Sequence, residues 1–244
     1  MDVSIVITSF NYASYIEACV ESCLMQNKSS LQHEVIVVDD GSTDDTQLIL
    51  EKIDSKLLRK FKIENSGIEA ASNYGFGNAR GRYVVRVDAD DLLLPNYLYC
   101  IYKYLKSGCN FYYSDYEVIN GTGEFVSEMR LPEFEVAEIR KRGDFLATGT
   151  LYSAELLRDF CYYSEAIKNG GLENYELILR LLDAGISGKH IPESLFCYRR
   201  HNLNISVSKK DQIMRNGNAL FQRMGLGIYV TNKYHPYNPS QGLI

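Results

Sequence analysis

Three carboxylates, Asp88, Asp90 and Asp91, stand within four positions at the end of the stretch YVVRV. Asp88 and Asp90 flank Ala89, so in extended backbone both side chains project to the same side. Left unpaired, each raises the other's pKa. A divalent cation removes that conflict. Hard oxygen ligands suit Mg2+ or Mn2+, ions that keep coordination positions open for water and phosphate oxygens. A second reading is equally open: Asp90 or Asp91 caps the helix expected after Pro95, and the remaining carboxylates are solvated.

Two further polar groups extend the chemistry. VVDDGSTDDT places Asp39 and Asp40 at the end of a buried strand, with Gly41 permitting a tight turn. A carboxylate there can accept a hydrogen bond from a base or a ribose hydroxyl; the same residues also make a turn followed by a helix cap. In CYRRHNLNIS, Arg199 and Arg200 match phosphate oxygens and His201 can ligate a metal. Read blandly, this is a basic surface cluster. In combination, a carboxylate for a nucleoside, an acid pair for a metal and an Arg–Arg–His set for a diphosphate are what a sugar-nucleotide site needs. A metal with arginine neutralises the charge left on the β-phosphate when the sugar–diphosphate bond breaks. No GxGxxG follows the first strand and no P-loop is present, while GFGNARG (75–81) precedes a strand instead of following one.

These groups need elements to position them. Short β-branched apolar runs predict strands at 3–8, 34–38, 60–65 and 82–88. Between them, helices are expected at 14–26 with Ser14 as N-cap, at 44–58, and at 68–80 weakened by Gly75 and Gly77. This alternation argues for an α/β fold with a parallel sheet covered on both sides, and ligands then collect beyond the C-terminal strand ends. The second half is less regular. It predicts helices at 95–108, 172–185 and 209–225, a strand at 109–120, a short strand and helix within 146–160, a closing strand and loop at 187–206, and a loose tail. Residues 133–142 are ambiguous. Tyr112, Tyr113, Tyr116 and Tyr152 could stack on a sugar, with core packing the expected role.

Composition bounds the remaining choices. The 244 residues are 45% hydrophobic, enough for a substantial core. The 26 basic and 31 acidic residues form no basic block, which argues against nucleic acid as the main partner. Six cysteines without CxxC or zinc-finger spacing read as reduced thiols, which suits the cytosol. No signal peptide is read at the start, and no run reaches the ~20 apolar residues of a membrane span.

VSIVITSFNYASYIEACVESCLMQ, EVIVVDDGSTDDT, ARGRYVVRVDADDLLLP and YRRHNLNIS, in that order, resemble the inverting family-two glycosyltransferases of GT-A fold. The resemblance runs from about residue 3 to about 206. It implies a Rossmann-like, mostly parallel sheet flanked by helices, with a small antiparallel subregion on the acceptor side. It implies a glycosyltransferase domain over 1–206, with a nucleotide-sugar half (1–95) and an acceptor half (96–206), followed by a C-terminal helix and tail (207–244). It places Thr8 and Asp40 at the nucleoside, Asp88 near ribose and metal, Asp90 as the main carboxylate on Mn2+ or Mg2+, His201 on metal or diphosphate, and Arg199 or Arg200 near the phosphates. Two departures stand out. The family's catalytic base is an Asp at the position of Asn174, and an amide cannot accept the proton. Glu173 or Glu176 then becomes the candidate base, although Glu173 reads equally well as a solvated helix N-terminus. Ser72 replaces the arginine of the family's ARN motif.

The expected activity is transfer of a sugar from a nucleotide-diphosphosugar, by default a UDP-sugar, to a saccharide or lipid-linked acceptor in cell-surface polysaccharide or glycoconjugate synthesis. The expected location is the cytoplasm, at the inner face of the membrane; a peripheral membrane contact or an oligomer interface is open for the residues past 206. A sugar-nucleotide binder impaired in catalysis is the alternative that Asn174 raises. A sugar nucleotidyltransferase ranks below both, because TSFNYAS is neither glycine-rich nor basic.

Overall fold

The computed structural model describes residues 1–26, 30–142, 146, 148–166 and 168–229. Its first half is the expected alternation. Strands β1 (Val3–Ser9), β2 (His33–Asp39), β3 (Leu58–Lys62) and β4 (Tyr83–Asp88) are parallel and lie side by side in the order β3-β2-β1-β4. Every residue of β1 is buried, as a central strand covered on both faces requires. Helices α1 (Ile16–Leu24), α2 (Thr46–Lys52) and α3 (Ile68–Gly77) make the crossovers.

Helix boundaries depart from the sequence expectation for local reasons. Ser14 does not cap α1; the Tyr12 carbonyl accepts from the amides of Tyr15 and Ile16 instead. The second helix is seven residues, 46–52, because the chain turns extended at Ile53 and β3 starts by Leu58. In α3, Gly75 is a packing requirement. A Cβ there would lie 2.3 Å from Val6 Cγ1, so glycine lets the helix lie directly on β1.

The second half contains α4 (Tyr97–Tyr104), β6 (Phe111–Asn120), β8 (Leu151–Ser153), α6 (Ala154–Asp159), α7 (Glu173–Asp183), β9 (Gly188–Arg200) and α9 (Lys210–Arg223) near their expected places. It adds β5 (Leu92–Leu93), β7 (Phe125–Met129), α5 (Val136–Arg142) and α8 (Ile205–Ser208). The sheet continues β4-β8-β6-β9-β5, with β7 on the edge of β6. β8 is antiparallel to both β4 and β6, so β6 and its partner β9 again run with the first four strands. Every antiparallel pair includes a strand of this half.

One core fills both faces of the sheet. A second joins Leu172, Tyr175 and Leu179 of the α7 region to Ile213, Leu220 and Phe221 of α9 and to Tyr229. Gly217 makes room for the Tyr229 ring, which a Cβ would approach to 2.2 Å. The expected loose tail lies almost wholly outside the described residues. All six cysteines are free thiols, and Cys19 and Cys23 sit on the buried face of α1. No helix among the described residues is long and apolar enough to cross a membrane.

Candidate active site

A cavity of about 480 Å³ opens beyond the C-terminal ends of β1, β2 and β4. Thr8, Asp40 and Asp88 line it from those strand ends, Asn65 and Ile68 from the β3–α3 connection, Glu173 and Asn174 from the start of α7, and Asn204, Ser206 and Lys209 from the segment after β9. Tyr116 lines it too, whereas Tyr112, Tyr113 and Tyr152 are buried core residues outside the lining.

At the ends of β1 and β2 the groups are held by the main chain. The Asp40 carboxylate accepts from the amides of Ser66 (2.7 Å) and Gly67 (2.9 Å) and from Asn65 Nδ2 (3.2 Å). Asp39 turns the other way and accepts from the Ser42 amide (2.9 Å). The Thr8 hydroxyl is buried with no hydrogen-bond partner among the described residues, and Thr8 lines the cavity.

The aspartate turn is more crowded. Asp90 Oδ2 faces His201 Nε2 at 3.0 Å and accepts from Asn204 Nδ2 at 3.1 Å. The His201 ring stacks on Tyr15, centroids 4.9 Å apart, and its Nδ1 accepts from the Leu203 amide, which leaves Nε2 directed at Asp90. Asp91 is buried and accepts from the Arg199 amide (2.8 Å), while its Oδ2 has no partner among the described residues. Burial pushes the Asp91 carboxyl well above the ordinary carboxylate range, and the charges of Asp90 and Asp88 push it further. Asp88 is raised as well, first by burial, with Arg86 pulling the other way. None of the three caps a helix. The next one, α4, starts at Tyr97 after Asn96 with no side-chain cap, which removes the capping alternative.

A divalent cation fits part of this set. Among the described residues no three His, Cys, Asp or Glu side chains are arranged to hold an ion. Asp90 and His201 offer one carboxylate and one imidazole within 3.0 Å, an open pair that leaves the remaining positions to phosphate and water; His201 would bind through Nε2 only in the tautomer with its proton on Nδ1, giving up the bond from the Leu203 amide. Asp88, expected as a further ligand, is instead ion-paired to Arg86 at 3.2 Å.

Arg86 is the residue that sequence reasoning missed, and its signal was present: a cation in the middle of a buried apolar strand needs a charged partner. Its guanidinium lies 2.5 Å from Glu173 Oε1, beside Asp88, and over the Tyr163 ring at 5.5 Å. Glu173 is therefore no solvated helix start. Its side chain is 7% exposed, and its Oε2 has no partner among the described residues. Asn174 is buried, with both its amide oxygen and its amide nitrogen hydrogen-bonded. Its Oδ1 accepts from the hydroxyls of Tyr152 and Tyr163 (both 2.8 Å), and its Nδ2 donates to the Leu146 carbonyl at 2.5 Å. Glu176 points elsewhere, to Arg180 (3.0 Å) and Arg223 (3.7 Å).

The two arginines expected at the phosphates do not line the cavity. Arg199 reaches behind the aspartate turn. Its Nε donates to the Asp90 carbonyl (2.7 Å), its Nη1 approaches the carbonyls of Asn120 and Gly121 (3.4 Å), and its charge sits over Tyr15. Arg200 follows it on β9, on the strand face of Phe196 and Tyr198, and its charge acts on Tyr116, although it is not itself part of the lining. Ser72 is buried and donates to the Ile68 carbonyl of its own helix.

Relatives share this chain's pattern. It is 28% identical to a hyaluronan synthase of Pasteurella multocida, over 99% of this chain and 25% of that one, and 31% identical to a chondroitin synthase of Escherichia coli, over 96% and 34%. The chain thus spans only a quarter to a third of those synthases. It is 28% identical over 89% of its length to 85% of the Escherichia coli UDP-Glc:alpha-D-GlcNAc-diphosphoundecaprenol beta-1,3-glucosyltransferase WfaP. The crystal structure of S. aureus TarS 1-349 in complex with UDP-GlcNAc superposes with a TM-score of 0.70 over 92% of this chain and 66% of that one. At 20% identity that likeness establishes the GT-A fold. The family model described as Glycosyl transferase family 2 matches residues 4–160, most of the parallel sheet and the aspartate turn with it. The chain belongs to glycosyl transferase family 2.

Proposed function

We propose that the chain is a metal-dependent, inverting glycosyltransferase that moves a sugar from a nucleoside-diphosphate donor to a hydroxyl of a saccharide acceptor. One observation carries this reading. A carboxylate–imidazole pair, Asp90 and His201, and an unpartnered carboxylate oxygen, Glu173 Oε2, belong to one cavity of a family-two chain. A UDP-sugar is the donor named for WfaP and bound in the TarS crystal, and it is the donor proposed here. A diphosphate-linked lipid saccharide, the acceptor named for WfaP, is the proposed acceptor class. Such a lipid places the reaction at the cytoplasmic face of a membrane, in the assembly of a cell-surface polysaccharide.

Asp40 and Thr8 receive the base and ribose, with Asp40 already oriented by the amides of Ser66 and Gly67. Asp90 and His201 would hold Mn2+ or Mg2+, which when bound neutralises the charge that develops on the leaving diphosphate. Asn204 fixes the Asp90 oxygen that faces His201. The acceptor oxygen attacks the anomeric carbon from the side opposite the diphosphate, the carbon–oxygen bond to the diphosphate breaks, and configuration inverts. Glu173 Oε2 takes the acceptor's proton while Arg86 holds Oε1. The inactive-binder alternative rests on Asn174. The carboxylate one residue away, directed into the cavity, favours the enzyme.

Transfer of radiolabelled sugar from a panel of UDP-sugars to diphospholipid-linked saccharides tests the proposal. Asp90→Ala is expected to lower turnover by at least roughly 10²–10³-fold, as loss of an electrostatic stabiliser does. Full turnover in that variant would refute the metal assignment. Retention of anomeric configuration in the product would refute the mechanism.

A further inference from the structure

The proposed reaction leaves a diphosphate in the cavity, and a site for that diphosphate presupposes the glycosyltransferase reading. Among the described lining residues the carboxylates are Asp40, Asp88, Asp90 and Glu173, and the cations are Arg86 and Lys209. A diphosphate brought among those carboxylates needs positive charge beyond a single metal. Arg86 cannot supply it, because its buried guanidinium is held between Asp88 and Glu173. Arg199 lies behind the aspartate turn on carbonyl oxygens, Arg200 does not line the cavity, and Ser72 is bonded within its helix.

Lys209 differs from all of them. It lines the cavity where α8 meets α9, beside Ser206 and Ser208, and its amine has no hydrogen-bond or ion-pair partner among the described residues. The segment that carries it is fixed to the metal-side carboxylate. Asn204 donates to Asp90 Oδ2, the Asn204 carbonyl accepts from the Val207 and Ser208 amides, and the Ile205 carbonyl accepts from the Lys209 amide. Along this helical segment Lys209 stands roughly 7.5 Å of axial rise from Asn204, well inside the reach of a lysine side chain.

We infer that Lys209 is the cation that binds a diphosphate in this cavity, either that of the nucleotide donor or that of a lipid-diphosphate acceptor. Both sources present the same pair of phosphoryl groups, and a lysine meets them as a point charge.

The test uses the full chain with Lys209→Ala and Lys209→Arg, each checked for an unchanged melting profile. Calorimetry in Mn2+ measures UDP, GDP and ADP against the matching monophosphates. Kinetics compare a diphospholipid-linked N-acetylglucosamine with an octyl glycoside of the same sugar. The expected result is about tenfold weaker diphosphate binding in Lys209→Ala, monophosphate binding unchanged, and recovery in Lys209→Arg. Unchanged nucleotide binding with an about tenfold higher KM for the diphospholipid alone assigns the same chemistry to the acceptor. Equal behaviour of Lys209→Ala and wild type towards every ligand overturns the inference. So does equal weakening towards monophosphates and the octyl glycoside, which marks a packing role. A wild type that binds none of the nucleotides and uses neither acceptor overturns the proposed function, and Lys209's role falls with it; a wild type that binds while the variant matches it overturns Lys209's role alone.

Discussion

The two ends of the cavity are built differently. Just past the ends of buried parallel strands, Asp40 is gripped by main-chain amides of the β3–α3 connection. Elsewhere in the lining the contacts run side chain to side chain: Glu173 to Arg86, Asn174 to Tyr152 and Tyr163, and His201 and Asn204 to Asp90, the last across 114 residues of sequence. A carboxylate held by backbone keeps its place whenever the fold forms. One held by another side chain depends on that partner's identity, so single substitutions do most harm there.

The largest separation between the ends is expected from Glu173→Gln. It keeps an oxygen for Arg86 and removes the base, so kcat should fall roughly 10²–10⁴-fold while donor affinity in calorimetry stays near wild type. A parallel loss of donor affinity would mean the two ends are one unit. Asn174→Asp follows. The Leu146 carbonyl then faces a carboxylate oxygen instead of an N–H, at a site 3% exposed. The expected cost is about 3 kcal/mol at neutral pH in urea denaturation, shrinking in acid as the carboxyl protonates. A stable, more active Asn174→Asp would show that the tyrosine pair can release this residue.

A smaller effect probes one of the contacts between the halves. Glu69 of α3 accepts from the amides of Asn169 and Gly170. Burial, then the charge of Glu173, raises its carboxyl above the ordinary glutamate range despite those amides. Its folded pKa exceeds its unfolded one, so the folded state holds the proton more tightly. Its contribution is full below the unfolded value and is lost as pH rises through the folded one. Stability should decline with pH from about 4.3 upward, by at most about 1.4 kcal/mol per pH unit from this group. Glu69→Gln should flatten that limb in chemical denaturation; an unaltered slope would assign the decline to other carboxyls.

The same contrast governs how much was legible before the structure. Asp40, Asp88 and Asp90 follow runs whose apolar pattern marks buried strands, so strand ends alone bring them together. Strand-to-turn position also delivers His201 to Asp90. Arg199 has that position too and still misses the cavity, because its amide and Nε are claimed by Asp91 and the Asp90 carbonyl, partners that no local pattern reveals. Asn174 read as a base gone missing, whereas its amide serves Tyr152, Tyr163 and Leu146, none of which a helical repeat connects to it. Arg86 was legible only as an anomaly. Lys209 carried no signal, since a lysine at a helix boundary is ordinary until its neighbours are known.

The shared core of α7 and α9 ties the C-terminal helix to the start of α7, where Glu173 stands. Leu172 and Tyr175 bracket Glu173 in sequence and rest on Ile213 and Phe221 of a helix whose first residue follows Lys209. A change in how α9 packs would therefore reach Glu173 and Lys209 together, the proposed base and the proposed diphosphate cation.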